Sequence, residues 1–329
     1  MVMPKDSAAE AIEGLVRRMR GRRLMPEREL AKQHGISRPR LRAILADLER
    51  RGLVARRQGS GTYALEDGTS VVSDVALLVD ARLKLRDDPF FSAIVERLQL
   101  VCQTEGIRCT LERIAPGQRP VILEDGIFAV GMAAREVLEG LGRKDVPAVG
   151  LFVRAKPAPG ARVALLDLDD RAGGRAACEI LVAAGCRQLV YVGGRQVPAS
   201  ASRLAGAAEV AAQTGLKLKV IESGMNYAEG LTHATRLRFS GNGRKLGVIA
   251  GNDWLALGLH TGLMTRGPRM RGRVEIVSFD GLPITADPSL RIRSLAAPID
   301  TMAADAVAEL RRLAAAPVSC GREISYPLS

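Results

Sequence analysis

The sequence predicts an α/β protein in two parts, an N-terminal winged helix-turn-helix followed by a two-lobed, doubly wound region. The chain is long enough for two or three domains, with 329 residues of which 47% are hydrophobic. Its positive charge is concentrated near the N-terminus, because residues 17–57 carry +10 of a formal net charge of +12. Beyond residue 74, short apolar runs alternate with helical patterns, which is the rhythm of a parallel sheet.

The N-terminal part predicts three short helices. Ser7 and Glu10 form a capping box, and an apolar stripe at helical spacing follows them. A second helix is expected to open at Pro26, and a third to begin at Ser37 as N-cap and to end at Gly52. The short glycine-containing turn between the second and third helices is typical of a helix-turn-helix.

The same module carries basic side chains and a glycine-rich tip. The third helix carries Arg38, Arg40 and Arg42 opposite its apolar stripe, and arginines at the start of such a helix bind base edges or phosphates. Two short strands, 53–57 and 62–65, flank a glycine-rich tip that can approach a DNA duplex closely. A basic membrane-surface segment and a surface-charged helical bundle are the alternatives to DNA binding.

Four segments of this module are distinctive: Glu27-Arg28-Glu29-Leu30-Ala31, Gly35-Ile36-Ser37-Arg38-Pro39, Gly52-Leu53-Val54 and Arg57-Gln58-Gly59-Ser60-Gly61-Thr62-Tyr63. Together they closely resemble the winged-helix domain of GntR-type transcription regulators, over residues 7–65. The resemblance implies DNA contacts by Arg28, Ser37, Arg38, Arg40, Arg42 and Gly59. Arg40 stands where that family more often has threonine, so we expect a different preferred base sequence.

The domain organisation follows from these patterns. We expect a winged-helix domain at 1–66, a polar linker at 67–74 and a two-lobed region at 75–329. Lobe 1 is placed at about 75–165 and 295–318, and lobe 2 at about 166–291 and 319–329. Strands are expected at 75–79, 107–114, 126–131, 148–152, 163–168, 188–193, 217–222, 246–250 and 275–279, and helices at 89–105, 172–184, 201–215, 227–239 and 254–266.

Further segments of the two-lobed region are distinctive: Asp88-Pro89-Phe90-Phe91, Asp169-Asp170-Arg171-Ala172-Gly173-Gly174, Ser202-Arg203-Leu204-Ala205-Gly206, Gly251-Asn252-Asp253-Trp254 and Val277-Ser278-Phe279-Asp280. They resemble LacI/GalR-type effector domains, whose fold is periplasmic-binding-protein-like. The resemblance implies an effector cleft lined by Phe90 or Phe91, Arg203, Asn252 and Asp280. Guanidinium, amide and carboxylate groups can bind sugar hydroxyls, while an aromatic ring stacks on a C–H face.

Some of these side chains also have a purely structural interpretation. Arg203 fits an ion pair within its lobe, and Asp253 fits a cap on the helix that it begins as well as it fits a ligand contact. Phe152 stands where the family often presents an aspartate to a sugar hydroxyl. We therefore expect an effector that is less hydroxylated than a plain hexose, or differently posed.

Motifs of other functions are missing from the sequence. There is no GxxxxGK[ST] loop and no HExxH, and three histidines leave little material for a metal site or a histidine-based triad. Five cysteines without a CxxC spacing fit buried thiols in a reducing compartment. No membrane-length apolar run and no secretory signal are visible. We expect a cytoplasmic protein with no enzyme activity, metal, cofactor or membrane partner.

The two resemblances together imply a ligand-responsive transcription regulator, with the layout of the arabinose-responsive repressors of some bacteria. We expect a homodimer on double-stranded DNA at a palindromic operator. We expect it to be a repressor that a small polar, sugar-like effector releases by shifting the balance between conformers. The alternatives are a DNA-binding architectural regulator whose sensor has lost its ligand, and an enzyme that uses the cleft.

Overall fold

A computed structural model describes residues 7–19, 22–50, 53–57, 61–64, 72–118, 125–131, 134–141, 146–237, 245–266, 272–315 and 321–329. The chain divides into two compact units. Unit 1 holds Met1–Arg82, Arg97–Leu166 and Ala303–Ile324, and unit 2 holds Leu83–Glu96, Asp167–Met302 and Ser325–Ser329. Both units mix helices with mainly parallel strands, so the α/β fold class is confirmed. The domain and lobe limits drawn from the sequence stay a prediction.

Unit 1 begins with a small helical module. It consists of α1 (Ser7–Arg18), α2 (Glu27–Gln33) and α3 (Arg38–Arg50), followed by the antiparallel strands β1 (Val54–Arg57) and β2 (Gly61–Ala64). A shared core includes Ile12, Val16, Leu30, Leu41, Leu45 and Leu48. Burial of each such side chain contributes roughly 1.5–3 kcal/mol, which is what holds three short helices together.

The remaining elements alternate between strand and helix. In chain order they are β3 (Asp74–Asp80), α4 (Pro89–Thr104), β4 (Arg108–Ile114), β5 (Gly126–Val130), α5 (Ala134–Gly140), β6 (Ala148–Leu151), β7 (Val163–Leu168), α6 (Asp170–Ala183), β8 (Cys186–Val192), α7 (Pro198–Gln213), β9 (Leu218–Ile221), α8 (Tyr227–Ala234), β10 (Lys245–Ala250), α9 (Asp253–Met264), β11 (Val274–Asp280), β12 (Ile292–Ala296), α10 (Ile299–Ala315) and β13 (Glu323–Tyr326). This alternation is the predicted βαβ rhythm.

The strands form two larger sheets. One has the order β13-β7-β6-β5-β3-β4, and the other has the order β12-β11-β10-β8-β9. In the second sheet β8 pairs in parallel with both β9 and β10, and β10 pairs in parallel with β11. The strand order reverses at β8 and β10, so their carboxyl ends flank the crevice where ligands bind in folds of this kind.

Several elements differ from those expected. The helix expected at 227–239 ends at Ala234, and the helix expected at 201–215 begins earlier, at Pro198, whose fixed φ suits a first turn. The elements α5, β12, α10 and β13 had no counterpart among the expected segments. Within the described ranges, the helices are too short or too polar to span a bilayer.

Candidate functional site

The start of α3 is fixed by a tight turn and a buried stripe. Gly35 has φ of 63°, a left-handed conformation that glycine adopts without strain. Ser37 Oγ accepts a long hydrogen bond of 3.4 Å from Arg40 N, as a helix N-cap does. Leu41 and Leu45 are fully buried on the inner face of α3. Polar side chains at the helix start therefore lie on the face turned away from the core.

The structure brings most of the predicted DNA-contacting residues to this helix pair. Arg28 on α2, and Ser37, Arg38 and Arg42 at the start of α3, are exposed, while Arg40 is half-buried. Gly59 lies outside the described residues. We call this set of described residues on α2 and at the start of α3 the arginine face. Its charge and exposure suit contacts with phosphates and base edges.

Arg42 is held by an acidic neighbour that the sequence reasoning did not single out. Arg42 Nε donates to Glu27 Oε2 over 2.9 Å, which joins α3 to α2. Arg56 Nη2 donates to the carbonyl oxygen of Arg42 over 3.2 Å, and Arg56 N donates to Glu49 Oε1 over 3.0 Å. These bonds tie β1 to α3, so the hairpin and the arginine face have a fixed relative placement.

The base of the hairpin gains a third strand-like segment from the chain before α2. Leu24 N donates to Thr62 O over 2.8 Å, and Arg23 and Tyr63 form an antiparallel bridge. Gly61 has φ of 107°, and a Cβ placed on it would lie 2.8 Å from Arg23 Nε. The positive φ favours glycine at this position, beside the Arg23 side chain.

In unit 2, Arg203 lies at the centre of a buried polar network. Its side chain is 4% exposed, its Nε donates to Asp170 Oδ1 over 2.8 Å, and its Nη1 donates to Gly251 O over 2.7 Å. Asp280 Oδ1 lies 3.7 Å from Nη1, and the guanidinium carbon stands 4.5 Å from the centre of the Phe279 ring. Arg203 thus forms the ion pair within its lobe that the sequence left open, and it also lies next to Asp280.

Asp280 ends β11 in a strained and desolvated position. Its φ is 116° and its side chain is 5% exposed. Burial raises the pKa of Asp280 well above its usual value, the positive charge of Arg203 opposes this, and the charges of Asp253 and Asp88 add to it. A carboxyl group in this setting holds a proton more strongly than an exposed one, and its protonated form can donate a hydrogen bond to a ligand oxygen. Strained, desolvated groups of this kind concentrate at functional sites.

Asn252 and Asp253 both make hydrogen bonds within unit 2. Asn252 caps α9, because its Oδ1 accepts from Leu255 N over 2.9 Å, and its Nδ2 donates to Met225 O. Asp253 is fully buried and does not cap the helix. It accepts from Leu282 N over 2.7 Å and from the hydroxyls of Ser278 and Ser294. Asp253 therefore holds the loop that follows β11 in place by a hydrogen bond.

The aromatic pair belongs to the same unit. Phe90 is buried and Phe91 half-buried, with ring centres 5.5 Å apart in an edge-to-face arrangement. Asp88 Oδ1 accepts from Phe91 N over 3.2 Å, and burial raises the pKa of Asp88. Its charge reaches Asp280, so the start of α4 and the end of β11 lie within electrostatic range. The position of Asp88 at the start of α4, before Pro89, could have indicated this capping bond.

Phe152 ends a strand of unit 1 in an unusual conformation. It follows β6 with φ of 56° and is half-buried. A left-handed conformation costs a bulky residue about 1–3 kcal/mol and persists only where the surrounding structure imposes it. An aromatic ring therefore stands at this strand end, where the resembled family often presents an aspartate.

Two segments of the chain match known protein families. Residues 7–64 match the bacterial regulatory proteins of the gntR family, and residues 178–325 match the periplasmic binding protein-like domain. The chain thus joins a GntR-type helix-turn-helix domain to a periplasmic binding protein-like domain, and both resemblances seen in the sequence are confirmed.

Individual proteins resemble parts of the chain. It is similar to the HTH-type transcriptional regulator Rv0792c of Mycobacterium tuberculosis (strain ATCC 25618 / H37Rv), with 33% identity over 150 residues, 40% of this chain. This chain spans about half of the length of that relative, 54%. A LacI family transcriptional regulator from Enterococcus faecium with bound ribose has a TM-score of 0.65 at 19% identity, covering 78% of this chain and 96% of the other. One from Arthrobacter sp. FB24 in complex with lactose has a TM-score of 0.63 at 17% identity, covering 78% and 97%. These two likenesses show the fold.

Proposed function

We propose that this protein is a ligand-responsive DNA-binding transcription regulator, a repressor that a small sugar-like effector releases from its operator. The observation that carries the proposal is the arginine face, which lies on the helix-turn-helix of a segment matched by gntR-family regulators. Arg38, Arg40 and Arg42 are the residues proposed to contact bases and phosphates, with Arg28 and Ser37 beside them. Gly59 at the hairpin tip is proposed to approach the backbone.

The effector is proposed to bind at the strand ends of unit 2. Asp280, Arg203 and Asn252 supply the polar groups, and Phe90 and Phe91 supply the apolar surface on which a sugar ring stacks. The neighbours solved with ribose and with lactose support a sugar, since they share the fold. Because two nitrogens of Arg203 already bind protein oxygens, we propose that Asp280 makes the principal contact with an effector hydroxyl.

Effector and DNA are proposed to act through linked equilibria. An effector that binds one conformer better than another changes DNA affinity by the ratio of its two affinities. We propose a homodimer on a palindromic operator, since a two-fold dimer presents two copies of α3 to two half-sites. Its place of action is then the cytoplasm, with the chromosome. No catalytic step is proposed, because the matched DNA-binding family and the matched relative are regulators.

A second function is favoured by one observation. Arg203 is 4% exposed and its Nε and Nη1 are both bonded within the protein, which suits a sensor that holds its own fold and has lost its ligand. A thermal-shift screen of the full chain against pentoses, hexoses, disaccharides and nucleosides separates the two functions. The first function predicts stabilisation by at least one compound, and its loss in Asp280→Ala. No stabilisation by any compound favours an architectural DNA-binding protein.

The DNA-binding part has its own test. The full chain should select a short symmetric sequence from a pool of random duplexes. Arg38→Ala should weaken binding to that sequence by about 1–3 kcal/mol while leaving thermal stabilisation by sugars unchanged. The matched control is Arg195→Ala, which removes an exposed arginine of unit 2. Equal affinities of the wild type and Arg38→Ala would remove α3 from the interface.

A further inference from the structure

Unit 2 contains a cavity at the opposite end of its sheet from Asp280. It has a volume of about 540 Å³ and lies where β8, β9 and β10 begin. Four basic residues line it, Arg187, Lys217, Lys219 and Arg236, above aliphatic side chains that include Leu189 and Ile221. We call this cavity the basic groove. At about 3.3 Å per residue, the length of β8 separates it from the other strand ends by roughly 20 Å.

The lining of the basic groove is positively charged without compensation. No aspartate or glutamate is among its lining residues. Other basic side chains of unit 2 pair with carboxylates, such as Arg195 with Glu222 and Lys245 with Glu275. Among the described residues, the four basic side chains of the groove have no such carboxylate partner. Residues 238–244, outside that part of the chain, contain no acid either.

Two of the four cations are held in place by contacts that are not carboxylates. Arg187 Nη1 donates to the carbonyl oxygens of Val182 and Cys186, and Arg236 Nη1 lies 3.3 Å from His233 Nδ1. These contacts restrict the guanidinium groups without neutralising their charge. Lys217 and Lys219 are exposed at the opposite rim, flanking the start of the edge strand β9. Partly positioned guanidinium groups and mobile ammonium groups around one cavity suit a multiply charged anion.

We propose that the basic groove binds a phosphorylated small molecule, a phosphate ester with a compact body, as a ligand separate from the sugar-like effector. The volume suits such a molecule, since pockets for small ligands measure roughly 300–1,000 Å³. The phosphate would meet the four cations, and the body of the molecule would rest on the aliphatic floor. Sugar phosphates and nucleotides share this chemistry. The site does not depend on the proposed DNA or sugar function.

The test is calorimetric titration of the full chain at low salt and at 0.15 M salt. The probes are glucose 6-phosphate, adenosine diphosphate and inorganic phosphate, so that the contribution of the ester body is separated from that of the phosphate. The double variant Lys217→Gln/Lys219→Gln should weaken binding of the preferred ester at least about tenfold. Lys219→Gln alone should also weaken binding. Its matched control, Arg293→Gln on the opposite edge strand β12, should change binding less than about twofold.

Three results would overturn the proposal. One is no binding of any probe by the wild type. Another is equal affinity in the wild type and the double variant. The third is that the double variant loses only non-specific DNA binding while no ester binds, which would make this face a DNA-contacting surface. The variants change exposed side chains, and circular dichroism checks that they fold. Sugar binding and operator binding should be unchanged in the double variant and in Lys219→Gln. Failure of the phosphate-ester proposal is therefore distinguishable from failure of the proposed regulator function.

Discussion

Gly174 on α6 lies directly against the backbone of Arg203 on α7. A Cβ placed on Gly174 would stand 1.9 Å from the carbonyl oxygen of Arg203, a distance that no real Cβ tolerates. Gly206 on α7 makes the equivalent contact with α6, since a Cβ placed on it would stand 2.0 Å from the carbonyl oxygen of Arg171. The two helices cross at backbone contact, and this crossing places Arg203 within 2.8 Å of Asp170. The site therefore depends on two residues without side chains.

Gly174→Ala should separate α6 from α7 and disturb the Arg203 network. We expect a loss of about 1–3 kcal/mol or more in the free energy of unfolding, since the obstructing atoms are backbone. Sugar stabilisation should fall with it. Gly140→Ala is the control, because nothing lies within 4 Å of a Cβ at that position. Urea unfolding of both variants gives the comparison, and equal stability of the two would contradict the close crossing.

The folding stability of the ligand-free protein should depend on pH through Asp280. A carboxyl whose pKa is raised in the folded state binds its proton more tightly there than when unfolded. Its contribution is therefore full below about pH 4, the ordinary pKa of aspartate, and is lost as pH rises towards the raised value.

Asp280→Asn removes that titration and suits the positive φ, which asparagine adopts more readily than most residues. The variant should gain stability relative to the wild type as pH rises from 4 to 8, because only the wild type loses the contribution of the raised pKa over that range. Calorimetry at pH 4 and at pH 8 gives the stability difference between the variant and the wild type at each pH. Subtracting one difference from the other cancels the titration of all other groups. A result of zero from this subtraction would mean that Asp280 titrates as an ordinary surface carboxyl.

Glu27 should restrain DNA binding by holding Arg42. Glu27→Gln removes the carboxylate that accepts from Arg42 Nε and frees the guanidinium for phosphate. Because Arg42 is largely exposed, the ion pair is worth at most about 1 kcal/mol, so DNA affinity should rise up to about fivefold. Fluorescence anisotropy with the selected duplex measures it, and Glu10→Gln on α1 is the control. A fall in affinity would show that Glu27 positions Arg42 for its DNA contact.

Cys109 should be the first to react among the four cysteines of the described chain. A hydrogen bond with Cys102 lowers the pKa of the Cys109 thiol, which is half-buried. Burial instead raises the pKa of Cys178 and of Cys186 to about 11. Since the thiolate is the reactive form, brief maleimide treatment at neutral pH should label Cys109 ahead of the other three. Peptide mass spectrometry checks the order, and faster labelling of Cys178 would contradict it.

The local patterns of the sequence were sufficient for most of the fold. Apolar spacing predicted the buried stripe of α3, and continuous apolar runs predicted the central strands, because both signals lie within one element. The stripe on α10 formed by Met302, Ala306 and Leu310 carries the same signal, although no helix was expected there.

Contacts between elements could not be derived in this way. Arg203 and Asp170 are 33 residues apart, and their pairing depends on the α6–α7 crossing, which no local rule specifies. The role of Asp253 was equally open, since an aspartate at a helix start can cap the helix or contact a ligand. In the structure Asn252 is the cap, and Asp253 accepts from three donors beyond its own helix. The effector-binding roles of these residues remain predictions, as do the DNA contacts.

The most direct test is an anisotropy titration of the selected DNA duplex with the full chain, with and without the sugar that stabilises it. The account predicts that saturating sugar weakens DNA binding about tenfold or more, within the usual range of linked equilibria. It also predicts that Asp280→Ala binds the duplex normally and no longer responds to the sugar. Identical DNA affinity with and without a sugar that demonstrably binds the protein would contradict the account.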